Sequence, residues 1–157
     1  MVMTKTNAIR IIEAAGIEHS VHEYDISDGK IDGVSVAEKC GRSPDMVFKT
    51  LVTKGKITGL NVFVIPVEFE LDLKAAAVAA GDKYIEMIKS KELEPLTGYI
   101  HGGCSPIGMK KAFPTFIDEM ALLSEAICVS AGRVGLQVEL APKDLADLAG
   151  AKFCELI

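Results

Sequence analysis

Of the four cysteines, at 40, 104, 128 and 154, no two form a C-x-x-C pair, and their spacing is irregular. That excludes a disulfide framework and a zinc ribbon and predicts reduced thiols. The chain also lacks an apolar run long enough to cross a bilayer: its strongest, Ile57 to Val67, is interrupted by Thr58, Gly59, Asn61 and Pro66. At the start, MVMTKTNAIR places Lys5 and Arg10 beside no long apolar region, unlike a secretory signal, so a cytoplasmic location is expected. A basic surplus is missing as well. The net charge of -5 argues against a surface that coats nucleic-acid phosphates broadly, while permitting contact with one end of a nucleic acid. Neither GKS/GKT nor G-x-G-x-x-G occurs, so nucleoside triphosphate and dinucleotide sites are not expected. No repeat, low-complexity tract or linker divides the chain.

What is present describes a globule. The 157 residues suit one domain, 1–157, and 49% hydrophobic content with 25% charged residues argues against disorder. Apolar periodicity and caps predict helices over Asn7 to Ala15, Val34 to Cys40, Glu70 to Ala80, Ser90 to Glu94 and Pro142 to Leu148. Strands are predicted over Ile17 to Tyr24, Val47 to Thr53, Leu60 to Ile65, Tyr84 to Met87, Thr115 to Asp118, Ala126 to Ser130, Leu136 to Leu140 and Ala151 to Leu156. DISDGKIDG, after the first strand, reads as a loop. Helices and strands mix without strict βαβ alternation. The expected class is therefore α+β, with a mixed, curled, partly barrel-like sheet flanked by helices.

Two stretches stand out chemically. In VFKTLV, 47–52, strand alternation puts Lys49 on one face with Val47 and Leu51, opposite Phe48, Thr50 and Val52. Such a lysine either guards a sheet edge and snorkels to water or is a cation held in a partly dry cleft, suited to a phosphate or an ester. TGYIHGGCSPIGM, 97–109, carries four glycines and no carboxylate; its amides suit an anion or oxyanion, although a plain connection between strands reads the same way. Within it, His101 and Cys104 stand three apart, and a cysteine nucleophile with a histidine base is one alternative, against a cysteine packed as a small apolar residue. His19 and His22 form H-x-x-H but point to opposite faces of a strand, so no metal is expected. Tyr24, at the end of that strand, suits either the core or a ligand-stacking position.

In chain order, VFKTLV, VIPVEFELDLK (64–74), TGYIHGGCSPIGMKK (97–111), PTFIDE (114–119) and VSAGRVGLQVEL resemble the YbaK/EbsC family of aminoacyl-tRNA deacylases. These are relatives of the editing domain of bacterial prolyl-tRNA synthetase. The resemblance spans nearly the whole chain and implies hydrolysis of a wrong amino acid from a tRNA 3′ end, above all cysteine from tRNA(Pro), without metal or other cofactor. It further implies that the thiol of the bound cysteine attacks its own ester. Lys49 would hold the terminal adenosine and, with the amides of Gly102 and Gly103, serve catalysis. Tyr24, Thr50, Gly98, Ser105, Pro106 and Gln137 would bind substrate. Lys110 and Lys111 would add a small basic patch, so a shallow salt dependence is expected. The implied partners are the tRNA acceptor end and prolyl-tRNA synthetase. An Ala-tRNA(Pro) deacylase using water and a non-catalytic module binding a tRNA end or small molecule are the alternatives. Two departures bear on specificity. The loop DISDGKIDG lacks the aromatic of some relatives, leaving Ile31 as its nearest large apolar residue, and His101 and Cys104 stand where some relatives carry aliphatic side chains.

Overall fold

The computed structural model describes residues 5–157, which form helices α1 (Asn7–Ala14), α2 (Gly33–Lys39), α3 (Leu73–Ala80), α4 (Ser90–Thr97) and α5 (Pro142–Ala149). The strands are β1 (His19–Glu23), β2 (Phe48–Gly55), β3 (Gly59–Pro66), β4 (Ile85–Met87), β5 (Thr115–Asp118), β6 (Ile127–Arg133), β7 (Leu136–Leu140) and β8 (Ala151–Cys154). The class is α+β, as expected. Its strands, however, divide between two sheets. One is antiparallel, in the order β1-β7-β6; the other runs β4-β2-β3-β5-β8, with β3, β5 and β8 parallel. A single parallel bridge, Val47 to Cys128, connects them, and no closed barrel forms among the described residues.

Local chemistry moves several boundaries. The third helix begins at Leu73 rather than Glu70, because the Asp72 carboxylate accepts from the amides of Lys74 and Ala75 and acts as N-cap. The fourth continues past Glu94 despite Pro95: the Gly98 amide bonds Glu94 O at 2.8 Å and the Thr97 hydroxyl bonds Leu93 O at 2.8 Å. The last strand stops at Cys154, since the Leu156 amide turns to the Asp118 carboxylate, 2.9 Å away. At the β2–β3 hairpin, Asp82 accepts from the amides of Ile57 and Thr58 and from the Thr58 hydroxyl, which holds its carboxyl well below the usual carboxylate range.

The main core lies between the sheets. Ala8, Ile9 and Ile12 of α1 and Leu145 and Ala146 of α5 close over Val64 and Ile117 from one sheet and Val129, Val138 and Leu140 from the other. On the far face of the larger sheet, Phe63 and Ile65 pack on Ala76 and Ala77 of α3, and Phe63 stacks on Phe116 with centroids 5.4 Å apart. Both faces of β2 are thus used. Phe48 joins the central cluster while Leu51 packs toward α3.

Candidate active site

A cavity of about 290 Å³ opens where β2, the segment leading into α2, the glycine-rich turn after α4 and the smaller sheet converge. Val36, Val47, Leu51, Val67 and Leu93 make its apolar walls. Its polar groups include Lys49 and Thr50 from β2 and Ser130 and Gln137 from β6 and β7. Tyr24, Lys49, Thr50, Gly102 and Gln137, all expected at the site, line this one space. Gly98, Gly103, Ser105 and Pro106 do not.

The strand register explains why β2 presents polar groups here. The Val67 amide bonds Val47 O, so in the antiparallel ladder with β3 the odd residues of β2 exchange hydrogen bonds and the even ones turn their amides to the opposite edge. Strand β4 and the Ile88 that follows it cover that edge only from Val52 to Gly55. The backbone of Thr50 therefore faces the cavity, and its buried hydroxyl has no hydrogen-bond partner. Lys49 is half-buried and makes no ion pair or side-chain hydrogen bond among the described residues. Burial pushes its ammonium below the ordinary lysine value, with Glu70 opposing weakly. A cation that makes no ion pair in a partly dry cavity is a ready anion site.

The glycine-rich turn is held from within. The Tyr99 hydroxyl donates to Ile107 O, the Ser105 hydroxyl accepts from the Ile107 amide at 3.2 Å, and Ser105 is fully buried, so it supports the turn from behind. The two adjacent glycines differ. Gly102 has φ +85° and lines the cavity, and its amide makes no hydrogen bond among the described residues. Gly103 already donates to Ile100 O at 2.9 Å, and a Cβ there would lie 2.9 Å from the Val134 amide nitrogen. Gly98 likewise spends its amide on Glu94 and packs against Lys110, whose ammonium bonds Pro95 O. Of the three glycines expected at the site, only Gly102 has its amide free at the cavity.

Across the cavity, Gln137 is buried with its carbonyl oxygen unpartnered, and in the β6–β7 register it stands opposite Ser130, which sequence reasoning missed. The signal for Ser130 was a lone hydroxyl inside the apolar run Ile127–Ala131. The lining's one carboxylate, Asp32, is engaged as the N-cap of α2 by the Ser35 amide and hydroxyl. Cys104 lines the cavity, but burial pushes its thiol up to about 12, and no hydrogen bond joins it to His101. Burial thus disfavours a thiolate nucleophile at neutral pH. The histidines of H-x-x-H diverge: His19 bonds Ile17 O, and His22 meets Glu139 at 2.8 Å. His22, Glu139 and Cys128 lie close enough to share an ion, yet Arg42 already grips both oxygens of the Glu139 carboxylate.

The model of the aminoacyl-tRNA editing domain family matches residues 32–148, from the cap of α2 to α5. The chain belongs to this family. A relative from Enterococcus faecalis, EbsC, named as a candidate Cys-tRNA(Pro)/Cys-tRNA(Cys) deacylase, is 49% identical over 152 residues, covering 97% of this chain and 93% of that protein. Among solved structures, a candidate trans-editing enzyme for prolyl-tRNA synthetase superposes with TM-score 0.83 at 25% identity, covering 98% of each chain. A hypothetical protein at 22% identity superposes with TM-score 0.86, over 96% of this chain and 99% of the other, and shares the fold. Within this editing family, the cavity occupies the segment that the family model spans, apart from Tyr24 and Ile31, which precede it.

Proposed function

We propose that the protein is a trans-editing hydrolase that removes a wrong amino acid from tRNA, with Cys-tRNA(Pro) as its preferred substrate, and that it works in the cytoplasm as a single editing unit. The observation that carries this is the set of unpaired polar groups around one small cavity: the Lys49 ammonium, the Thr50 hydroxyl, the Gly102 amide and the Gln137 carbonyl oxygen. Buried polar groups are normally satisfied within the fold, so a coherent set left open is a set waiting for a ligand.

An aminoacyl ester on a terminal adenosine matches that set group for group. Its α-ammonium supplies donors for Gln137 Oε1. The nearby phosphate or ribose oxygens take Lys49. The carbonyl oxygen, gaining negative charge as the ester is attacked, falls to the Gly102 amide and the Thr50 hydroxyl. Of the lining groups, Asp32 is engaged in capping α2 and burial pushes the Cys104 thiol up, so neither is a ready general base, while His101 lies at the exposed side of the cavity. As the resemblance to the deacylase family implies, the substrate's own thiol attacks. Its sulfur bonds the ester carbon, the carbon–oxygen ester bond breaks, and the thiol proton goes to the departing ribose oxygen, leaving a cyclic thiolactone. The protein contributes orientation and charge stabilisation. With net charge -5, it would hold only the acceptor end and rely on prolyl-tRNA synthetase for recognition of the tRNA body.

The test is ester cleavage on Cys-tRNA(Pro), Ser-tRNA(Pro) and Ala-tRNA(Pro) in chelator-containing buffer. Rapid loss of cysteine with slow loss of serine and alanine is expected. Equal rates on cysteine and alanine would replace the thiol step by water attack. Tight binding of the acceptor end without cleavage of any ester would make the protein a binding module.

A further inference from the structure

Tyr24 and Ile31, the two cavity residues that precede the segment matched by the family model, flank a loop with no regular secondary structure. Its own bonds are short-range: Asp25 accepts from the Ser27 amide and hydroxyl, Asp28 from the Lys30 amide, and Ile26 O from the Gly29 amide. These make local turns, but none fixes the loop against the rest of the molecule. Lys39, the last residue of α2, does. Its ammonium donates to Asp25 O at 2.7 Å, to Asp28 Oδ1 at 2.8 Å and to Lys30 O at 2.9 Å, which uses all three of its protons. The two carbonyls it grips belong to the residues immediately after Tyr24 and immediately before Ile31. Ile31 in turn lies over the turn, its Cδ1 3.0 Å from where a Cβ on Gly102 would stand.

We propose that Lys39 is a positioning residue of the site: by clamping both ends of the 25–30 loop it seats Ile31 against Gly102 and so sets the largest aminoacyl side chain the cavity admits. Lys39 does not line the cavity. It acts through Ile31, which narrows the mouth beside the amide that receives the ester oxygen. A lysine whose acceptors were the last carbonyls of α2 would be a helix cap; all three acceptors here lie in the loop. Asp28 also opposes the charge of Asp25, and the clamp sets the Lys39 ammonium against both. The inference rests on the deacylase reading for its kinetic consequence and on geometry alone for the clamp.

Two measurements on the full chain separate these. Amide hydrogen exchange of residues 25–32, with no substrate present, should rise about tenfold or more in Lys39→Gln and stay near the native rate in Ile31→Ala, since only the first releases the loop. Cleavage of alanyl, cysteinyl and leucyl esters of tRNA(Pro) should then show both variants admitting the leucyl ester and both raising KM for the cysteinyl ester more than they lower kcat. Lys39→Arg, which keeps the charge, should recover part of the native discrimination, and Asp28→Asn should loosen the loop less than Lys39→Gln. Unchanged exchange in Lys39→Gln overturns the clamp. A loosened loop with native discrimination overturns its role in specificity. If the native protein cleaves none of the esters, the deacylase reading falls, and the clamp is still judged by exchange.

Discussion

The two ends of β2 treat their polar groups in opposite ways. At the hairpin end, from Gly55 to Thr58, Asp82 gathers the amides of Ile57 and Thr58, the Thr58 hydroxyl and, behind them, the amides of Lys83 and Tyr84. There a Cβ on Gly55 would collide with the carboxylate, at 2.1 Å from Oδ2. At the other end, Lys49 and the Thr50 hydroxyl are left without partners beside a cavity. One strand thus holds a closed hydrogen-bond account and an open one. The closed end serves stability and the open end serves binding, because an unmade bond inside a fold costs free energy that only a ligand can return.

Breaking the open end should have the largest effect. Lys49→Ala is expected to lower deacylation of Cys-tRNA(Pro) by about 100-fold or more while leaving the melting temperature near the native value, measured by single-turnover cleavage and thermal unfolding. Since burial lowers the Lys49 pKa, binding of a non-hydrolysable cysteinyl-amide analogue should weaken with rising pH before the ordinary lysine value of 10.5 is reached. Thr50→Val keeps shape and removes the orphaned hydroxyl. It should slow the reaction about tenfold yet raise stability by about 1 kcal/mol, and a loss of stability in urea unfolding would mean that the hydroxyl has a partner in the free protein.

At the closed end the signs reverse. Asp82→Asn should lower the melting temperature by several degrees with native cleavage rates at 25 °C. The folded-state pKa of Asp82 is depressed, so its contribution is present above the unfolded value near 3.8 and fades as pH falls below it. The gap between native and variant melting temperatures should therefore narrow in acid. The smallest effect belongs to Cys104→Ser, expected to change the cleavage rate less than about threefold, because a protonated buried thiol acts here as a small packing group. Loss of activity in that variant would restore the nucleophile reading.

Much of the fold was legible from residues that act locally. The Thr6 cap of α1, the Gly41 that follows α2 and Pro142 at the first position of α5 marked these helices to within two residues at either end, because such signals are written within a few positions. The division into two sheets was not legible. It depends on β1 pairing with β7 and β3 with β5, contacts between residues far apart in sequence that alternation alone does not specify. The same holds at the site. Lys49 stood out because an ammonium among aliphatics conflicts with strand patterning, whereas the difference between Gly102 and Gly103 rests on which amide is already bonded and how near Val134 comes. Ser130 was hidden for a similar reason. A hydroxyl in an apolar run means nothing until the strand across from it is known to carry Gln137.

The pairing of His19–Glu23 with Leu136–Leu140 sets an order of events during synthesis. Tyr24 leaves the ribosome early and Gln137 late, so the cavity they share is incomplete until almost the whole chain has been made. Such distant pairings close slowly compared with hairpins. A nascent chain stalled before β7 would carry Lys49 and the glycine-rich turn without the opposite wall, unable to hold an ester while tRNA esters are abundant around it. Competence to cut them arrives with the final fifth of the protein.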